Sequence, residues 1–147
     1  MKQGKLGESM FALDANIFLE FFLKQERAPE CKELLLSIFE NKIQAVVSDT
    51  TLVTIAFNLE RCGQSWLEIR KFFLSLSRYE GLHIYIPSLP DKVFATDFMR
   101  DYKLDFDDAL TLQASIASGC DTLISFDKDF AKIPIIKCLA PAQVLGK

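Results

Sequence analysis

Three stretches far apart in the chain set aspartates against apolar residues: Leu13-Asp14-Ala15-Asn16, Leu104-Asp105-Phe106-Asp107-Asp108-Ala109 and Ser125-Phe126-Asp127-Lys128-Asp129-Phe130. Grouped carboxylates are hard oxygen ligands and suit Mg2+ or Mn2+. Like charges gathered by a fold destabilise it unless a cation neutralises them, so convergence of these stretches is a reason to expect a metal. Each stretch also has a plainer role. Asp105 and Asp108 suit the first turn of a helix, where carboxylates cap N–H groups and meet the helix dipole. Asp127 would cap a short terminal helix. Asp14 is harder to explain in this way, because it follows an apolar strand and an unpartnered buried carboxylate is costly.

Other site chemistries fit less well. The four cysteines, Cys31, Cys62, Cys120 and Cys138, include no C-x-x-C pair, and there is one histidine. That spacing argues against zinc and leaves the cysteines as small core hydrophobes in a reducing cytosol. A phosphatase with Asp14 as nucleophile would need an acid two residues later. Asn16 stands there and cannot exchange a proton at neutral pH.

The elements that must position these groups alternate along the chain. Strands are expected at 10–13, 45–47, 82–86, 122–125 and 133–136. Helices are expected at 16–25, 29–40 and 90–102. A further helix starts at Ser48 or Asp49, carries the stripe Leu52, Ile55, Ala56 and Leu59, and stops at Gly63. Trp66, Ile69, Phe73 and Leu76 mark the next one. Asp105 caps another, with Leu110, Ala114 and Ala117 as its core stripe and Gly119 at its end. Strands alternating with helices imply βαβ units, hence an α/β fold: a three-layer α/β/α sandwich around a central, mostly parallel sheet. Sites in such sheets lie at the carboxyl ends of strands, which selects Asp14, the Ser48-Asp49 pair and Asp127.

At 147 residues the chain is expected to form a single domain over 10–140, with the opening MKQGKLGES set aside as an extension or remnant. That opening lacks the apolar stretch of a signal peptide, and no uncharged apolar run approaches the ~18 residues of a membrane span. A cytoplasmic location is the expectation. A net charge of −3 provides no broad basic field for nucleic acid; a metal and a few local cations would have to hold one. Thirteen phenylalanines are an excess for this length and point to self-association as a homodimer.

Taken in order, these segments resemble the PIN domain, the nuclease fold of VapC-type toxins, from about Phe11 to Ile136. Phe11 to Leu19 resembles the opening strand with its first acid, Asp14, and following Asn16. The segment from Leu104 to Leu110 is similar to the one carrying the third acid, which places that role on Asp108 with Asp105 beside it. Leu123 to Phe130 resembles the closing "T-x-D-x-D-F" end, with Asp127 as fourth acid, Ser125 at the Thr position and Asp129 next to it. The second acid of the family is a Glu on the helix after the second strand, and Thr54 stands at that position here. The resemblance implies metal-dependent hydrolysis of single-stranded or structured RNA, with Asp14, Asp108 and Asp127 holding Mg2+ or Mn2+ and an antitoxin protein as a partner. Asn16 would orient Asp14 or a phosphate oxygen; Arg61, Arg100, Lys128 and Lys132 are candidates for the RNA backbone. The departure at Thr54 implies an alternative, a catalytically degenerate module that binds RNA or protein.

Overall fold

The computed structural model describes residues 9–146. The extension expected over residues 1–9 therefore lies, except for Ser9, outside the described residues. Five strands form the sheet: β1 (Met10–Leu13), β2 (Gln44–Ser48), β3 (Leu82–Tyr85), β4 (Thr122–Ile124) and β5 (Lys137–Leu139). Eight helices join or follow them: α1 (Ala15–Phe22), α2 (Ala28–Phe39), α3 (Asp49–Arg61), α4 (Trp66–Leu76), α5 (Leu89–Tyr102), α6 (Phe106–Ala117), α7 (Lys128–Ala131) and α8 (Pro141–Val144).

Every pairing in the sheet is parallel, and the strand order is β3-β2-β1-β4-β5. The chain builds outward from β1 through β2 to β3, then returns to the other side of β1 for β4. The order thus reverses between β1 and β4, and the crevice outside their carboxyl ends is where such folds place a ligand.

Strand alternation splits the core in two. Leu13, Ala45, Val47, Leu82 and Ile124 face one way and pack against α1 to α4, where Phe18 and Phe72 meet edge to face at 6.1 Å. Ala12, Val46 and Leu123 face the other way, against Ala95 and Phe98 of α5, Leu110 and Leu112 of α6, and Phe130 of α7. The α/β/α sandwich expected from the sequence is therefore present, and its sheet is wholly parallel.

Local details differ from expectation for identifiable reasons. The last strand forms at Lys137–Leu139 rather than at 133–136, because Pro134 interrupts that run and has no N–H to give a ladder; Ile133 and Ile136 instead fill the second core. In α4 the buried residues are Phe72 and Leu76, whereas Trp66 is 75% and Phe73 43% exposed. The stripe keeps Ile69 and Leu76, but Phe72 takes the place expected for Phe73 and Trp66 lies outside it. Ala117 is exposed, while α6 is buried all round from Ala109 to Ser115, as befits a helix pressed between the sheet, α3 and α5. Cys31 and Cys120 are buried as expected, but Cys62 is exposed just beyond α3. Gly81 is fixed by space: a Cβ there would lie 2.3 Å from the Ile43 carbonyl oxygen and 2.8 Å from that of Ile38.

Candidate metal centre

Asp14 follows β1 directly and is 7% exposed. Its backbone N–H still donates to the Ile124 carbonyl at 3.1 Å, so β4 fixes its position. As N-cap of α1 its Oδ1 accepts from the Ala15 N–H at 2.7 Å. Oδ2 accepts from the Ser125 hydroxyl at 2.6 Å and from Asn16 Nδ2 at 3.2 Å. Burial pushes the Asp14 carboxyl up to about 6, against the pull of the Ser125 and Ala15 hydrogen bonds, and the charges of Asp127 and Asp107 add to the rise.

Ser125 joins the strands to the cluster. Its Oγ donates to Asp14, accepts from Asn16 Nδ2 at 3.2 Å and accepts from the Asp127 N–H at 3.0 Å. Asp127 in turn caps α7 through the Asp129 N–H at 2.9 Å. From the facing helix, Asp105 caps α6 by accepting from the Asp108 N–H at 2.8 Å. One carboxylate oxygen each from Asp108, Asp127 and Asp129 lie within 4.8 Å of one another. Burial raises the Asp108 carboxyl to about 7, reinforced by the negative charges of Asp105, Asp14, Asp127 and Asp107.

Thr54 reaches this group from α3. Its hydroxyl donates to Asp107 Oδ1 at 3.0 Å, while the Asp107 carbonyl accepts from Thr111 at 3.2 Å. Desolvation raises the Asp107 carboxyl, and the Thr54 hydrogen bond opposes that rise. A hydroxyl therefore stands where the resemblance called for a carboxylate, and it positions a carboxylate from the neighbouring helix.

The donor set fits a hard divalent cation. The carboxylates that converge offer hard oxygen, the adjoining Cys138 thiol is turned to the Ser125 carbonyl at 3.7 Å, and the mutual repulsion of the carboxylates is what a cation would relieve. Asn16 supplies a second sign, since its Oδ1 is buried without a hydrogen-bond partner while its Nδ2 is engaged. Such an acceptor awaits a donor, for example a water in a metal's hydration shell.

Asp14, Asn16, Asp105, Asp108, Ser125, Asp127 and Asp129 thus meet at one sheet edge, with Thr54 joined through Asp107. The remaining candidates are not among these interacting groups. Arg61 ends α3, about 18 Å along the helix from its first residue. Arg100 pairs with Asp101 at 2.8 Å and with Asp97 at 3.6 Å. Lys128 is exposed at the start of α7 and Lys132 caps its end. Asp49 is exposed in the first turn of α3.

One contributor escaped the sequence reading. Asp107 was overshadowed by its neighbour Asp108, although a polar Thr54 facing the site was a signal that a partner was needed.

Comparison with known proteins agrees with this architecture. The chain is similar in structure to VapBC2 from Rickettsia felis bound to a promoter DNA fragment, at 18% identity and TM-score 0.69, covering 89% of this chain and 98% of that one. It is similar to a toxin–antitoxin complex from Klebsiella pneumoniae, at 22% identity and TM-score 0.67, covering 89% and 97%. Mycobacterium tuberculosis VapC20, described as a sarcin-ricin loop cleaving toxin, gives 14% identity and TM-score 0.68, covering 88% and 99%. At these identities the likeness is one of fold. A search of curated proteins finds no match. The PIN domain family model matches residues 11–136, which takes in the whole carboxylate cluster and most of the chain, and the chain therefore belongs to the PIN domain family.

Proposed function

We propose that this protein is a divalent-metal-dependent endoribonuclease of the PIN type, acting as the toxin of a toxin–antitoxin pair. The observation that carries the reading is the meeting of Asp108, Asp127 and Asp129 within 4.8 Å, tied through Ser125 to a buried Asp14. Asp14, Asp108 and Asp127 would hold Mg2+ or Mn2+, with Asp129 and Asp107 completing the charge. When bound, the cation would orient the scissile phosphate, lower the pKa of a water and stabilise developing negative charge.

The side chains divide the remaining work. Ser125 and Asn16 fix the orientation of Asp14 by donating to its Oδ2. The free Oδ1 of Asn16 is an acceptor for a water proton next to the cluster. Thr54 holds Asp107 in place by donating to its carboxylate. Lys128 and Lys132, both exposed beside the cluster, would meet backbone phosphates of the RNA.

Partners follow from the same reading. The structural relatives include toxin–antitoxin complexes, and an antitoxin is the partner we infer. Two shallow grooves offer it apolar surface: one lined by Phe21, Leu35, Leu36 and Phe39, the other by Phe22, Leu59 and Phe72. A homodimer is inferred from exposed apolar side chains such as Phe57, Ile86, Leu89 and Val93. Among the described residues no helix is long and apolar enough to cross a membrane, and a cytoplasmic setting with residues 10–140 as one domain is part of the proposal.

A second reading, a degenerate RNA- or protein-binding module, is favoured by Thr54 at the expected Glu position. Mn2+-dependent cleavage of a single-stranded oligoribonucleotide, with Asp108→Asn as control, decides between them. The nuclease reading expects cleavage that the substitution abolishes. Mn2+ binding by calorimetry without cleavage of any RNA offered would leave the module.

A further inference from the structure

Asp129 faces two ways. Besides meeting Asp108 and Asp127, it lines a cavity of about 420 Å³ together with Asp101, Tyr102, Lys103, Leu104, Lys132 and Ile133. That volume falls within the range of small-ligand sites, about 300–1,000 Å³. Its walls come from the end of α5, the α5–α6 connection and α7 with the residues just after it; α7 is the helix that Asp127 caps, and the connection leads into α6, which carries Asp108.

The charges in the cavity are unequal in availability. Asp101 is occupied by Arg100 at 2.8 Å. Lys103 and Lys132 are exposed and make no ion pair among the described residues. Lys103 caps α5 in the left-handed region, φ 56° and ψ 36°, where glycine or asparagine is the usual occupant. Leu104 and Ile133 are buried and provide an apolar lining. Tyr102, whose ring stacks on Phe98 with centroids 5.9 Å apart, adds an aromatic wall.

Two uncommitted cations, an aromatic ring and apolar walls together match what a single-stranded nucleic acid requires, a charge for the phosphate and a surface for the base. We propose that this cavity seats the nucleotide next to the one whose phosphate meets the carboxylates, with Lys103 and Lys132 on its phosphate and Tyr102 beside its base. The inference rests on the nuclease reading for the position of the neighbouring phosphate.

The test uses a labelled single-stranded oligoribonucleotide and fluorescence anisotropy, in the Asp108→Asn chain so that the RNA stays intact. Adding Lys103→Gln and Lys132→Gln should weaken binding about tenfold. It should also flatten the dependence of log K on log salt by about 0.7, the change expected for one phosphate contact on a single strand. Lys42→Gln with Lys71→Gln, on other elements, is the control for general surface charge. Unchanged affinity and slope in the cavity variant, or an equal loss in the control, would overturn the proposal. Cleavage kinetics in the otherwise native chain separate it from the nuclease reading. RNA cut with an unaltered KM by the Lys103→Gln/Lys132→Gln chain removes the subsite and keeps the nuclease. RNA bound through the lysines but never cut keeps the subsite and removes the nuclease. RNA neither bound nor cut removes both.

Discussion

The apolar layer under α1 to α4 and the carboxylate cluster grow from the same strands, one residue apart. Leu13 and Ile124 are buried in the first; Asp14 and Ser125, the next residues along, belong to the second. In the layer every neighbour favours burial, and Phe18, Phe22 and Phe72 pack edge to face. In the cluster the charges of Asp107 and Asp127 raise the proton affinity of both Asp14 and Asp108. The first region accumulates stability that the second dissipates, and placing them on shared strands lets a rigid layer hold repelling charges at close range.

The sharpest way to break this comparison is to remove packing from the layer. Phe72→Ala should cost about 3–5 kcal/mol in urea unfolding, the lost transfer energy plus a cavity, since Phe72 is 2% exposed and touches Phe18, Phe22 and Phe73. A loss below about 1 kcal/mol would mean that the layer does not carry the stability assigned to it.

Next in size is the response of the cluster to pH. Asp14 and Asp108 stand at about 6 and about 7 in the folded chain, against 3.8 unfolded. Between about pH 4 and pH 7 the folded state therefore binds more protons than the unfolded state, and metal-free stability falls as pH rises through that window. Asp91 and Asp101, held below the usual carboxylate range, act in the opposite sense at lower pH. Mn2+ favours the ionised cluster, so the rise in melting temperature that it produces should be larger at pH 8 than at pH 5. A metal-free melting temperature that climbs from pH 5 to pH 8, with no response to Mn2+, would refute the charge assignment.

The smallest expected effect sharpens the comparison at its boundary. Thr54→Val removes the hydrogen bond to Asp107 and should change stability by about 1 kcal/mol or less, a single partly exposed bond, while weakening Mn2+ binding in calorimetry. Thr54→Glu places a carboxylate beside Asp107; it should lower the metal-free melting temperature and widen the gain from Mn2+ beyond that of the native chain. A melting temperature lowered equally with and without Mn2+ would show that Thr54 packs rather than serves the site.

Much of this arrangement was legible in the sequence, because strand ends and helix caps are local signals. Asp14, Asp105 and Asp127 each sit at the boundary where an apolar run meets a cap residue, and those boundaries were readable within a residue or two. The pairing of Thr54 with Asp107 was not, since it depends on how α3 crosses α6. The position of the last strand turned on Pro134, and the buried side of α4 on a choice between the adjacent Phe72 and Phe73 that composition cannot make. The cavity beside Asp129 depends on the αL turn at Lys103, which the letters around it do not signal.

The hydrogen bond from Ser125 to Asp14 joins residues 111 positions apart, and β1 has no partner on that side until β4 arrives. A chain emerging from the ribosome at about 5–20 residues per second presents Asp14 before Asp105, Asp107 and Asp108, and those before Asp127 and Asp129. Until residues 105–129 have been made, the nascent polypeptide carries Asp14 and Asn16 without the carboxylates that meet them in the fold. For a protein whose proposed target is RNA, the order of synthesis leaves the carboxylate cluster incomplete while residues 14–129 are being added at the ribosome, itself an RNA machine.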